Sequence, residues 1–523
     1  MLVLRWINTV TVRLVLLSSV VAMLFTPCFA RAQKGVTQQE AVSLVKQYCG
    51  ACHAPPSPQL LPKKDWPRVV DAMAELSAKR FGSTFIPDTA LRHIKALYYG
   101  SSPERLASLP YIDATHPTLS FSAQALSVPT LVPQIMAITP LPSTGDSFSF
   151  LVADAEQGQL NRLWGPRGKV DAWREQGVAD IALPVAVDMF DFNGDDLLDY
   201  VVADLGELAP NDNRAGKVFV LINKGNGSFA KKLLKDNLRR VSDVNALDLD
   251  QDGDTDIALA IFGGQGKGEV IWLENKGAEG YEEHPLLMLS GALSIDDADI
   301  NNDGIVDLLT LVAQEHETLV AFIGQGKGQF ERLDLVNAGH PMFGATSMTV
   351  TDLDQDGDQD ILFTNGDAFD TQTDPKPYHG VQWLENKGGL NFSAHDVGRY
   401  YGAVNAVAAD MDNDGDMDVV ASSWVNNWDD PKRNALIWYE NDGKQNFTPY
   451  PISQNYRGLV PLVINDFTGD GVMDILTGSF RMDLLHQSLR RENGVLSFDL
   501  EDRAAEAPKS DRLMMFTGHL KTP

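Results

Sequence analysis

Cysteine is nearly absent from this chain: three residues in 523, at positions 28, 49 and 52. Cys28 sits beside a leading apolar stretch and the other two are three apart, so no disulfide framework is available to brace the fold. Basic residues are also scarce, with 43 Lys and Arg against 71 Asp and Glu and a formal net charge of −28. A surplus of that sign argues against nucleic acid and anionic membrane as partners, because both demand positive patches that displace counterions. The longest apolar run, "LVLLSSVVAMLF", has 12 residues and is too short to span a bilayer. Also missing are G-x-S-x-G, H-E-x-x-H and the Gly-rich phosphate loops, so no catalytic residue can be named. Enzymatic activity stays open, with oxidoreductase the class if there is one.

The apolar run follows Arg5 and Arg13 and precedes "ARA" at Ala30 to Ala32, the order of a secretory signal. Residues 1–32 are expected to be removed at export, leaving a periplasmic or secreted protein with no transmembrane segment. Both remaining cysteines fall in "YCGACH", Tyr48 to His53. C-x-x-C-H is the attachment signature of haem c. Cys49 and Cys52 are spaced to reach two vinyl groups on one porphyrin edge, and the imidazole of His53 follows to bind the iron. A thioredoxin-like reading lacks a surrounding βαβ pattern, and a zinc reading lacks a second ligand pair.

The flanks of the motif read as helices. "TQQEAVSLVKQY" places Ala41, Val42, Leu44 and Val45 on one helical face behind Thr37 as N-cap. A Pro-rich loop follows, then a helix from near Asp65 and a closing helix in "DTALRHIKALYYG". This stretch resembles a group of bacterial cytochromes c in which W-x3-V-x2-M follows the haem motif, here Trp66, Val70 and Met73. The resemblance implies a small all-α cytochrome c-like domain over residues 33–112, one covalent haem c, and Met73 as sixth ligand, with His93 and an open site as rivals. Methionine ligation raises the haem potential and suits electron transfer. Residues 113–131 read as a linker.

Aspartate is what the rest of the chain has in plenty. "DFNGDDLLD" begins at Asp191, "DLDQDGDTD" at Asp248, "DINNDGIVD" at Asp299, "DLDQDGDQD" at Asp352, "DMDNDGDMD" at Asp410 and "DFTGDGVMD" at Asp466. Their starts lie 57, 51, 53, 58 and 56 residues apart, the spacing of a repeat architecture. Carboxylates crowded at positions one, three, five and nine of a tight loop repel unless a cation sits among them, and an all-oxygen set suits Ca²⁺. EF-hands would need a carboxylate at position twelve, which is Val202, Leu259, Thr310, Phe363, Ala421 and Thr477 here. Short apolar runs of strand length follow each loop, and each unit reads as four strands, the blade of a β-propeller.

These units resemble the FG-GAP and VCBS repeats of integrin-type calcium propellers, over roughly residues 130 to 500. The resemblance implies an all-β propeller, set at residues 132–505 with a tail over 506–523, and about five or six Ca²⁺ in the hairpins joining first and second strands. The full acid set is Asp248, Asp250, Asp252 and Asp256; Asp352, Asp354, Asp356 and Asp360; and Asp410, Asp412, Asp414 and Asp418. One substitution marks Asp299, Asn301, Asp303 and Asp307, and also Asp466, Thr468, Asp470 and Asp474. In Asp191, Asn193, Asp195 and Asp199 the sixth position is Asp196 and the glycine is Gly194, so this site is expected to be the weakest. A further unit without an acid loop lies between residues 132 and 185, giving seven blades, or eight if "HPTLSFSAQALSVP" pairs with "VLSFDLED".

Connections between second and third strands are polar and varied, and recognition favours such loops. His316, Asp367, His379, Trp424, Trp428, Asp429 and Arg433 are expected at one mouth. Three functional readings follow: an electron-transfer protein whose propeller docks a redox partner; an oxidoreductase whose propeller mouth binds a small molecule and feeds the haem; and an adhesion or carbohydrate-recognition module that takes a glycan.

Overall fold

The computed structural model describes residues 37–521, apart from residues 84, 143–144, 210, 265–266, 369–374, 455, 483, 485–488, 493–494 and 499–508. The expected signal segment, residues 1–32, lies outside the described residues.

Three helices make the first unit: α1 (Gln38–Tyr48), α2 (Trp66–Phe81) and α3 (Asp88–Ser101). Thr37 caps α1 in a capping box with Glu40, satisfying two orphan amides at once. Leu61, Trp66, Val70, Ile94 and Tyr98 form the small core, with Val45 from α1. The Pro-rich loop is pinned to it by two hydrogen bonds: Trp66 Nε1 donates to the Pro58 carbonyl at 2.9 Å and Tyr98 Oη to that of Pro56 at 2.9 Å.

The remainder is a seven-bladed β-propeller of four-stranded antiparallel sheets. Blades one to six begin with innermost strands Ile135–Pro140, Pro184–Phe190, Val241–Leu247, Ala292–Ala298, Ala345–Thr351 and Ala403–Ala409. Second strands such as Asp307–Val312, Asp360–Asn365 and Asp418–Ser423 are buried at every residue, because a neighbouring blade covers each of their faces. Fourth strands, such as Phe229–Leu238, carry the polar outer rim.

Blade seven corrects the expected boundaries. Its sheet runs Leu459–Asn465, Asp474–Ser479, Leu513–Leu520 and Leu119–Ala125. The expected C-terminal tail thus supplies a third strand, and the expected linker supplies the fourth. Strands from both ends of the chain pair from Leu119↔Leu520 to Ala125↔Met514, which closes the ring. The eight-blade alternative falls, because Val495–Phe498 pairs with Leu489–Glu492 in a separate hairpin.

The helical unit rests on the propeller face away from the aspartate loops. Arg80 on α2 pairs with Glu315 at 3.3 Å, and Met342 packs against the helical core. The segment leaving α3 is held by Leu109 N–H to Tyr401 Oη at 2.9 Å and by Tyr111 Oη to Asp430 at 2.7 Å. All four propeller residues lie between second and third strands or between blades.

Candidate cation loops and haem-motif site

All six aspartate loops join a first strand to a second, as the repeat pattern requires. Position one is the hub. In blade three, Asp248 accepts the amides of Asp252 and Gly253, both at 3.1 Å, and Asp299, Asp352, Asp410, Asp466 and Asp191 accept the equivalent pair. Each loop turns through two left-handed residues, at positions four and six. The fourth is Gln251, Asn302, Gln355 or Asn413 in blades three to six, and a glycine, Gly194 or Gly469, in blades two and seven. Blade two therefore keeps its glycine at the first left-handed position and places Asp196 (φ 62°) at the second, a conformation aspartate tolerates better than most residues.

Position nine has a second role that the spacing did not reveal. Asp199, Asp256, Asp307, Asp360, Asp418 and Asp474 are all fully buried. Each accepts one amide from loop position two or three and one from the neighbouring third strand; for Asp256 these are Leu249 at 3.0 Å and Asn275 at 2.7 Å. The carboxylate is a clasp between hairpins. Burial pushes Asp256 and Asp360 up to about 6 and Asp418 up to about 7.

Among the described residues, three loops bring three carboxylates within 4.8 Å of one another: Asp248, Asp250 and Asp256; Asp352, Asp354 and Asp356; Asp410, Asp412 and Asp418. These are the loops with the full acid set. Asp412 Oδ1 is buried without a hydrogen-bond partner, an acceptor left for a cation. The other three differ. Asn301 turns its amide toward Asp303 at 2.9 Å, and Arg167 of blade one pairs with Asp466 at 2.8 Å, supplying that loop with its own positive charge. A hard, all-oxygen donor set fits Ca²⁺ rather than a soft metal.

The same three blades share a feature missed in the sequence. Their third strands read W-x-E-N: Trp272 to Asn275, Trp383 to Asn386 and Trp438 to Asn441. The glutamates meet a histidine at 2.7 Å (His284 with Glu274, His395 with Glu385) or 3.3 Å (His116 with Glu440), and that ring packs tilted against the tryptophan with centroids 4.5–4.9 Å apart. His116 comes from the segment read as linker. Its Nδ1 accepts the Leu119 amide at 3.0 Å, so Nε2 carries the proton toward Glu440. The recurring tetrapeptide was the available signal.

At the haem motif, α1 runs into a short 3-10 turn, Cys49–Ala51. Cys49 and Cys52 are unpaired, and Cys49 packs against the helical core. Burial pushes the Cys49 thiol up to about 11, unlike the lowered values of redox-active or metal-binding thiolates. His53 Nδ1 lies 3.0 Å from the Ala54 carbonyl, a bond that leaves Nε2 as the free lone pair. Met73 projects from α2 with 40% of its surface exposed, a large apolar side chain that this small core does not cover. The residues present fit a covalent haem c.

Of the expected mouth residues, Trp424 and Trp428 meet each other beside Gly366. His379 is fully buried, Trp424 Nε1 donates to the Gly366 carbonyl at 3.0 Å, and Trp428 Nε1 to that of Trp424 at 3.2 Å. His316 faces Glu315 at 3.4 Å, and Arg433 turns to the backbone at Leu109 and Pro110.

The fold and its loops define a seven-bladed propeller built of Asp-rich repeats. Residues 191–259, 248–310 and 299–363 match the FG-GAP-like repeat family, a stretch that runs from the loop of blade two into the second strand of blade five. No curated protein matches the chain. Among the described residues no helix is long and apolar enough to cross a membrane. A propeller of this kind fits a ligand-docking module.

Proposed function

We propose that this is an exported monohaem c-type cytochrome with an electron-transfer role, fused to a calcium-stabilised propeller that docks its partner. The observation that carries the reading is the C-x-x-C-H segment, with two unpaired thiols at a helix end and His53 held by Nδ1 so that Nε2 is free. Cys49 and Cys52 would form the thioethers, and His53 and Met73 would hold the iron. A bound haem c supplies reversible one-electron transfer. The polypeptide contributes position: α2 and α3 pack against Cys49, and Trp66 and Tyr98 pin the Pro-rich loop to the same core. In the propeller, Ca²⁺ would occupy the loops of blades three, five and six most firmly and the remaining three more weakly.

The exported chain should gain the mass of one haem and show a c-type redox spectrum. Reduction by a partner cytochrome supports the carrier role, and material that contains neither haem nor calcium overturns it. One observation favours the oxidoreductase alternative: a cavity of ≈ 440 Å³ lies where Lys64, Asp65 and Arg105 of the helical region meet Tyr401 and Asn427 of the propeller. Reduction of the haem by a small alcohol or sugar without a partner protein would select that reading.

A further inference from the structure

The third strands set a glutamate beside some aspartate loops and not others. In each blade one third-strand amide closes the position-nine clasp, and the residue just before it is Ile222, Glu274, Ile323, Glu385, Glu440 and Thr517 in blades two to seven. Position three of the same loops is Asn193, Asp250, Asn301, Asp354, Asp412 and Thr468. Glutamate stands where position three is aspartate, in blades three, five and six, and nowhere else among the six. Like charges at close range repel, so a rim without a cation would favour the opposite pairing.

Blade six shows the geometry. Ligand atoms of Asp412, Glu440 and His116 all lie within 4.8 Å of one another, and Asp412 belongs equally to the loop triad with Asp410 and Asp418. Asp412 is thus the corner shared by loop and third strand. His116 Nε2 carries its proton, so of these side chains only the carboxylates are open to a cation. In blade three the carboxylates of Asp250 and Glu274 stand within hydrogen-bonding reach of each other, and in blade five Glu385 acts on the charge of Asp354.

The glutamates have basic partners but are not used up by them. Each meets one histidine, and Lys276 and Lys387 also pair with Glu274 and Glu385. Blade six has Asp442 in the place of that lysine. A carboxylate accepts at about four lone-pair sites, and these side chains keep 11%, 18% and 28% of their surface exposed for Glu274, Glu385 and Glu440.

We infer that Glu274, Glu385 and Glu440 are the outer carboxylates of the cation sites in blades three, five and six, and that they set which loops hold calcium tightly. The loop supplies the ligands; the glutamate is a positioning residue that adds negative charge behind the position-three aspartate. The inference rests on the calcium reading proposed above and goes beyond it by naming a residue outside the loop.

Hydrogen exchange read peptide by peptide on the full exported chain, across a calcium titration, gives each loop its own midpoint of protection. In the parent, blades three, five and six should be protected at lower calcium than blades two, four and seven. Glu440→Gln should raise the blade-six midpoint ~5-fold, the scale of one partly exposed ion pair, and leave blades three and five where they were. In chelator its blade-six loop should exchange no faster than the parent's, which a merely structural role would not allow. Glu274→Gln and Glu385→Gln should act in the same way, each in its own loop. If calcium protects no loop of the parent, the calcium reading falls and this inference with it. If the parent is protected but all three substitutions leave their midpoints within ~2-fold, or shift every loop alike, the inference is overturned while calcium binding stands.

Discussion

Asp418 separates the two duties of a position-nine aspartate. It is fully buried; its Oδ2 accepts the Met411 amide at 3.1 Å and its Oδ1 the Asn441 amide at 2.7 Å. Asp418→Ala strands both donors, and at about 1–3 kcal/mol for each buried unsatisfied group the local loss is ~2–6 kcal/mol. Asp418→Asn keeps one acceptor and should lose roughly half of that. The loss is independent of metal and must appear in chelator. Hydrogen exchange at Met411 and Asn441 is the direct assay, because a repeated sheet opens locally before it unfolds as a whole; even the lower figure accelerates exchange ~30-fold. Asp412→Asn is the contrast. Its Oδ1 has no protein partner, so the metal-free blade should not weaken, while the calcium-loaded blade should. Equal exchange for Asp418→Ala and the parent in chelator would refute the clasp.

In chelator the propeller should gain stability as the pH falls. Burial holds Asp256, Asp360 and Asp418 at about 6, 6 and 7, above the ~3.9 of an unfolded aspartate. The folded state then binds more protons between pH ~4 and ~7, and stability drops as pH rises through that window; a melting temperature higher at pH 7.5 than at pH 5.5 would contradict this. Added calcium should flatten or reverse the trend, since protons compete with it for the same oxygens. Chelation at neutral pH should lower the propeller's melting temperature and leave the haem spectrum intact; each occupied site contributes ~2.7 kcal/mol at free calcium a hundredfold above its Kd. Met73→Ala should open the iron to carbon monoxide or imidazole, and an unchanged ligand spectrum would reject Met73 in favour of a rival such as His93.

Much of the propeller was legible because its signals repeat. Six loops in one register, each followed by a strand-length apolar run, specify hairpins, and the acid-free unit before them completes the count with a shared closing blade. The closing blade itself was not legible. Leu513–Leu520 and Leu119–Ala125 carry no loop signature and find each other across almost the whole chain, so local pattern gave no sign of their pairing. At the loops, spacing named the carboxylates but could not tell a cation ligand from a backbone clasp, since both tasks ask for a buried acid at position nine. Nor could it show that Arg167 reaches Asp466 from the next blade, a contact of sequence separation 299.

The arrangement divides labour between two faces. First-to-second strand connections hold the aspartate loops on one side; Glu315, Met342, Tyr401 and Asp430 hold the helical unit on the other. A second strand such as Asp418–Ser423, six residues at ~3.3 Å each, puts roughly 20 Å between them. At that distance, about twice the Debye length in ordinary salt, an ion in the loops has little direct electrostatic purchase on whatever docks opposite. Its influence must travel through the rigidity of the blades. Loss of calcium should therefore degrade docking only as far as it loosens the sheets, and a variant that stiffens blade six without metal should dock normally in chelator.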